Sequence, residues 1–184
     1  MTPQVIGLYS SAPSAGKSTI ARHLCDKYSY TRIAFADPFK RVLKTFLCEL
    51  GYDSSYTYSL LYGSLKEVTL PEIGTTPRHL MRTLGTEWGQ QCVHPDVWIT
   101  IADKYISRAL SEGKNVVIDD LRFPNEYELL KKYNASVWHV IRDKRDNEAS
   151  VHVSDGALED RFFSRIVHND GSIAKLFTCV DSFI

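Results

Sequence analysis

One short string concentrates the residue types that handle phosphate. Ser11-Ala12-Pro13-Ser14-Ala15-Gly16-Lys17-Ser18 nearly matches G-x-x-x-x-G-K-S/T. The apolar run Val5–Tyr9 precedes it, and a helical pattern follows, with Ile20, Leu24 and Tyr28 four apart. A small-residue loop that opens a helix surrounds a polyphosphate with backbone N–H donors and positive potential. Ser14, Ala15, Gly16, Lys17, Ser18 and Thr19 are therefore the expected phosphate-binding residues. Lys17 is expected to reach the β- and γ-phosphates and the Ser18 hydroxyl to sit on Mg2+. Ser11 stands where the first glycine of the pattern belongs, which predicts backbone angles that serine adopts at a cost.

A second apolar run, Val116-Val117-Ile118, ends in Asp119 and Asp120, the form of strand that holds Mg2+ through water or orients its shell. Alternation puts the two carboxylates on opposite faces, so one of them faces the site and the sequence does not choose between them. A kinase acting on a second anionic substrate also needs cations, because two anions repel until neutralised. The candidates are Arg78 and Arg82, four apart on one helix face, Arg122 beyond the carboxylate strand, and Arg142 and Arg145 after another strand. Asp37 has two readings: a helix N-cap, or a partner for a sugar hydroxyl or base. Lys40, three residues on, is placed to meet a phosphate, and Trp88 either stacks on a base or fills a core. No N-K-x-D string reads guanine, and the six histidines show no ligand spacing, so no metal beyond Mg2+ is expected. These features favour a small-molecule kinase over a GTPase, a motor or a plain nucleotide-binding module.

The elements that position these residues follow from pattern. Helices are predicted from Asp37-Pro38, with Phe39, Val42, Leu43, Phe46, Leu47 and Leu50 inward, and from Thr76-Pro77, with Leu80, Met81 and Leu84 inward and Gly85 as the stop. The longest helix opens at Pro95 and ends at Gly113. Short strands are predicted at Arg32–Phe35, Asn115–Ile118, Ala135–Ile141 and near Ile166-Val167. Helices are predicted near Asn125–Tyr133, around Leu158 and at the end of the chain, and Gly51–Thr75 reads as irregular with one short helix. Strands alternating with helices predict an α/β fold with a mostly parallel sheet covered on both faces. The chain has 184 residues and 43% hydrophobic composition, with 22 basic and 22 acidic residues. That is one ordinary globular domain with no net charge, which argues against a nucleic-acid or membrane-surface partner. Four scattered cysteines and no signal-like or spanning apolar run predict a cytoplasmic protein with free thiols.

Taken together, the strings resemble the deoxynucleoside monophosphate kinases of bacteriophages, within the P-loop nucleoside monophosphate kinases. The resemblance rests on Gly16-Lys17-Ser18-Thr19, Phe35-Ala36-Asp37-Pro38-Phe39-Lys40, Thr76-Pro77-Arg78, Leu84-Gly85-Thr86-Glu87-Trp88-Gly89 and Asp120-Leu121-Arg122-Phe123-Pro124-Asn125-Glu126. Weaker echoes are His152-Val153-Ser154-Asp155, where the family more often has glutamate at the last position, and Asn169-Asp170-Gly171. It implies a three-layer P-loop fold in one domain, with an acceptor-binding region at about 51–90 and a lid at about 142–160. The implied reaction moves the ATP γ-phosphate to a (deoxy)nucleoside 5′-monophosphate with Mg2+. Lys17 and Ser18 would serve ATP, Asp37, Lys40, Arg78, Glu87 and Trp88 would line the acceptor site, and Asp120 and Arg122 would lie between. Arg142 or Arg145 would act from the lid. The implied partners are ATP and a nucleoside monophosphate, a homodimer is left open, and a phage-encoded enzyme would work in the host cytoplasm. The alternatives are a dephospho-coenzyme A kinase-like enzyme and a non-catalytic ATP-binding regulator.

Overall fold

Five short runs form one sheet; those at its centre are largely apolar and buried, while the edge strands carry polar and exposed residues. The computed structural model describes residues 4–142 and 158–184. Its strands are β1 (Val5–Tyr9), β2 (Thr31–Ile33), β3 (Val116–Leu121), β4 (Ser136–Ile141) and β5 (Arg165–His168), in the spatial order β2-β3-β1-β4-β5. Every pairing is parallel. The described residues divide into two compact units, one made of the chain up to Phe35 and from Ala102 onward, the other of Ala36–Ile101.

In the first unit, helices α1 (Lys17–Tyr28), α6 (Pro124–Lys132) and α7 (Ile173–Asp181) accompany the sheet. Ile20, Ala21 and Leu24 of α1 and Leu176 and Val180 of α7 pack with Ile6, Leu8, Val117, Trp138, Val140 and Val167 in one core. Across the sheet Leu130 of α6 lies against Gly7, where a Cβ would come within 2.5 Å of its side chain. Helices on both faces of a parallel sheet make the three-layer α/β fold. The longest helix, α5 (Val97–Ser111), enters this unit at Ala102.

In the second unit, α2 (Asp37–Glu49), α3 (Ser54–Leu61) and α4 (Pro77–Arg82) close on a core of Leu43, Leu47, Leu60, Leu61 and Leu70, with Leu80, Met81 and Leu84 packed against it. Asp53 caps α3, accepting from the N–H groups of Ser55 and Tyr56, and Thr76 caps α4, accepting from His79. Two expectations are corrected here. Val42 and Phe46, read as inward, are 52% and 43% exposed. Gly85 does not stop the helix: the chain continues as a π-helix over Thr83–Val93. Among the described residues no helix is long and apolar enough to cross a membrane.

Candidate active site

The loop after β1 is held from several sides. Ser14 (φ 59°) and Gly16 (φ 113°) are left-handed, whereas Ser11 is not. The serine in place of the first glycine therefore carries no left-handed strain; that demand falls on Ser14 and Gly16 instead. Ser10 is buried and donates to the Ala12 carbonyl at 2.7 Å, while the Lys17 ammonium donates to Ser10 Oγ at 2.5 Å. Gly16 caps α1 through its carbonyl, which accepts from Thr19 and Ile20 at 3.0 Å. The first turn of α1 has no acidic residue, so nothing there opposes an anion. Asn169, from the segment after β5, donates its amide to the Ala15 carbonyl at 2.7 Å.

The two carboxylates of β3 have separate partners. Asp119 is buried; its Oδ2 accepts from Arg32 Nε at 2.9 Å, and Arg32 Nη2 lies 2.9 Å from Oδ1 as an ion pair. Asp120 accepts the backbone N–H of Phe35 at 3.0 Å, which ties the end of β2 to β3. The register of β1 against β3 shifts here: Gly7 lies opposite Ile118, but Tyr9 lies opposite Leu121. The extra β3 residue is a bulge, and it breaks the strict alternation assumed from sequence. The strand also runs past the expected end at Ile118 to Leu121, so both aspartates lie within it.

Beyond β3, the backbone turns sharply into α6. Glu126, buried in the first turn of α6, accepts from the N–H groups of Arg122 at 2.7 Å and Phe123 at 3.0 Å. This folds Arg122 just past the strand, with its side chain exposed. Burial foremost, then the charge of Asp120, pushes the Glu126 carboxyl up to about 8. Arg142 directly follows β4. Arg145, Asp155 and most of the expected lid lie outside the described residues.

The second unit gathers the remaining candidates. Asp37 is the first residue of α2 and the cap position falls to Ala36, so the N-cap reading is corrected: Asp37 is instead an acidic residue in the first turn. The Lys40 ammonium lies 4.6 Å above the Tyr62 ring, and Tyr62 stacks on Tyr58 at 4.9 Å. Arg78 pairs with Glu67, and Arg82 lies 3.7 Å from Glu87. Both guanidinium groups are exposed, so these pairs hold them weakly and yield readily to a phosphate. The π-helix is built around Trp98, whose indole donates to the Gly85 carbonyl at 2.7 Å. Trp98 also meets the Phe39 ring edge-on at 5.2 Å, joining the Asp37–Lys40 and Gly85–Gly89 strings. Trp88 is 49% exposed beside it, with ring centroids 6.5 Å apart, so its outer face is open to a planar ligand. Sequence patterning missed Ser10, Tyr62 and Trp98 as supports. The only signal for Asn169 was the short Asn-Asp-Gly string.

A family model for deoxynucleotide monophosphate kinases matches residues 62–180. A deoxynucleoside-5'-monophosphate kinase of Escherichia phage T5 is 39% identical over 69 residues, 38% of this chain and 27% of the phage protein. The chain thus matches about a quarter of that relative's length. A relative from Acanthamoeba polyphaga mimivirus, whose name places it in the same family, is 25% identical over 97% of this chain and 96% of its own. In structure, the dephospho-CoA kinase from Campylobacter jejuni superposes with a TM-score of 0.51 over 100% of this chain and 96% of that one. At 16% identity this likeness concerns the fold alone. With its family match running from Tyr62 to Val180, the chain belongs to the deoxynucleotide monophosphate kinase family.

Proposed function

We propose that this protein transfers the γ-phosphate of ATP to the 5′-phosphate of a deoxynucleoside monophosphate, giving ADP and the diphosphate. The observation that carries this reading is the loop between β1 and α1: a left-handed Gly16, a lysine at the first helical turn and no acidic residue there. Family membership adds the acceptor class. The loop N–H groups and Lys17 bind the β- and γ-phosphates and draw off the charge that builds on them during transfer. Arg122, with Arg142 or Arg145, neutralises the transferring group, and Arg78, Arg82 and Lys40 hold the acceptor phosphate. Asp37 and Glu87 accept hydrogen bonds from the acceptor, and Trp88 stacks on its base.

Among the described residues no cluster of three or more His, Cys, Asp or Glu holds a metal by itself. That suits Mg2+, which keeps most of its waters and is held by one or two protein oxygens together with the nucleotide phosphates. Ser18 and Asp120 are the donors we assign to it, since Asp119 is committed to Arg32. When bound, the ion supplies Lewis-acid stabilisation of the phosphate oxygens.

The test is ADP formation from ATP and Mg2+ against a panel of ribo- and deoxyribonucleoside monophosphates, with dephospho-coenzyme A included. Turnover with deoxy forms is expected. Lys17→Ala should cost about a hundredfold or more in kcat with an unchanged melting temperature. Turnover of dephospho-coenzyme A alone would overturn the acceptor assignment, and an active Lys17→Ala variant would remove the loop from the chemistry.

A further inference from the structure

The contact from Asn169 to the phosphate loop joins positions 154 residues apart. Its own backbone is fixed at both ends. The Asn169 N–H donates to the Ile141 carbonyl at 2.8 Å, extending the β4–β5 ladder, and Ser172 caps α7 three residues later. The side chain therefore reaches Ala15 from a rigid base.

What this bond controls follows from the planarity of the peptide. The C=O of Ala15 and the N–H of Gly16 belong to one trans unit and point in opposite directions. Fixing the carbonyl therefore fixes the N–H. A flanking glycine is the residue best able to let such a peptide rotate, and Gly16 already sits at φ 113°. The amide also fills the space beside Gly16: a Cβ there would lie 2.4 Å from Asn169 Nδ2. Gly16 thus serves two needs at once, the left-handed angle and the close approach of the asparagine.

We propose that Asn169 is a positioning residue for the nucleotide: it locks the Ala15–Gly16 peptide so that the Gly16 N–H is presented to the phosphates. This rests on the assignment of the loop to ATP. Preorganising a donor strengthens binding without adding a contact, because the cost of orienting it is met in folding. Asn169 itself need not touch the nucleotide.

The experiment measures binding of Mg2+–ATP by calorimetry and the KM of each substrate for the wild type, Asn169→Ala and Asn169→Asp. Losing one hydrogen bond of ordinary net strength should weaken ATP binding roughly three- to tenfold in Asn169→Ala. Asn169→Asp should lose more, since it sets a carboxylate against the Ala15 carbonyl and near the incoming phosphates. The KM for the monophosphate should stay within about twofold and the ligand-free melting temperature should fall by no more than about 2–4 °C, as the loss of one hydrogen bond implies, a split between the two substrates that a merely structural residue would not give. Wild-type ATP binding with equal binding by both variants would overturn the role of Asn169 while leaving the proposed function standing. Parallel loss of ligand-free stability and of both KM values would also overturn it. A wild type that binds no ATP would instead bring down the loop assignment, and this inference with it.

Discussion

Glu126 is the residue whose environment departs furthest from what its type suggests. It is buried, bonded to two backbone N–H groups and close enough to Asp120 to feel its charge. The N–H bonds favour the ionised form, but burial and Asp120 prevail and push the carboxyl from 4.5 up to about 8. Between those values the folded protein keeps a proton that the unfolded chain has released, so stability must fall as pH rises through that window. Glu126→Gln keeps an acceptor for the turn and removes the titration. Unfolding curves at pH 5, 6.5 and 8 should show the wild type losing stability on the order of a few kcal/mol across the range and the variant staying nearly flat. Equal slopes would mean that Glu126 is ionised throughout. Sequence supplied this glutamate only as part of a recurring string. Its burial depends on where β3 and α6 meet, which local pattern does not encode. The same holds for Arg32, a surface type in isolation that spends its charge on Asp119.

At the scale of elements, most helices and strands were legible because period and caps agreed. Thr76-Pro77 opens α4, the Leu80, Met81 and Leu84 stripe packs inward, and β1 and β4 fall where apolar runs predicted them. The π-helix was not legible, for a definite reason. Glycine after a helical stripe signals a stop when its backbone turns left-handed, but Gly85 and Gly89 are absent from the positive-φ residues. They are there to admit aromatic rings. A Cβ on Gly89 would lie 2.6 Å from the Trp98 indole, whereas one on Gly85 would meet Phe39 at 3.4 Å, ordinary contact. Gly89→Ala should therefore destabilise by about 1–3 kcal/mol through overpacking, and Gly85→Ala by distinctly less. Thermal denaturation of the two variants checks this. Equal losses would show that Trp98 moves aside freely and that the π-helix does not depend on that fit. Because Trp98 also contacts Phe39, Gly89→Ala should raise the KM for the monophosphate more than that for ATP.

Across the whole molecule, alternating strands and helices gave the parallel α/β architecture directly, because both patterns are local and their order limits the topology. What the sequence could not supply was the set of ties between distant segments, and the C-terminal helix shows why these matter. Asp181 on α7 accepts from Lys27 at 2.7 Å, His23 at 2.6 Å and Tyr28 at 2.9 Å, all on α1, and His23 stacks on Phe177 at 3.9 Å. The helix that opens after the β1–α1 loop is thus clamped near its far end by α7, while Asn169 holds the loop itself. Lys27 foremost, then His23, keeps the Asp181 carboxyl well below the ordinary carboxylate range. A depressed value means that the stabilisation is present above the unfolded-state pKa of 3.8 and is lost as pH falls through the folded one. Asp181→Asn should accordingly melt several degrees below the wild type at pH 7, and the gap should narrow steadily on acidification below about pH 4. Raising ionic strength should shrink the gap at pH 7 as well, because the Lys27 pair is exposed and screened. Scanning calorimetry at pH 7 and pH 3, at low and high salt, separates the outcomes. A gap that ignores both pH and salt would assign the loss to altered packing of α7 against α1 rather than to the charge of Asp181.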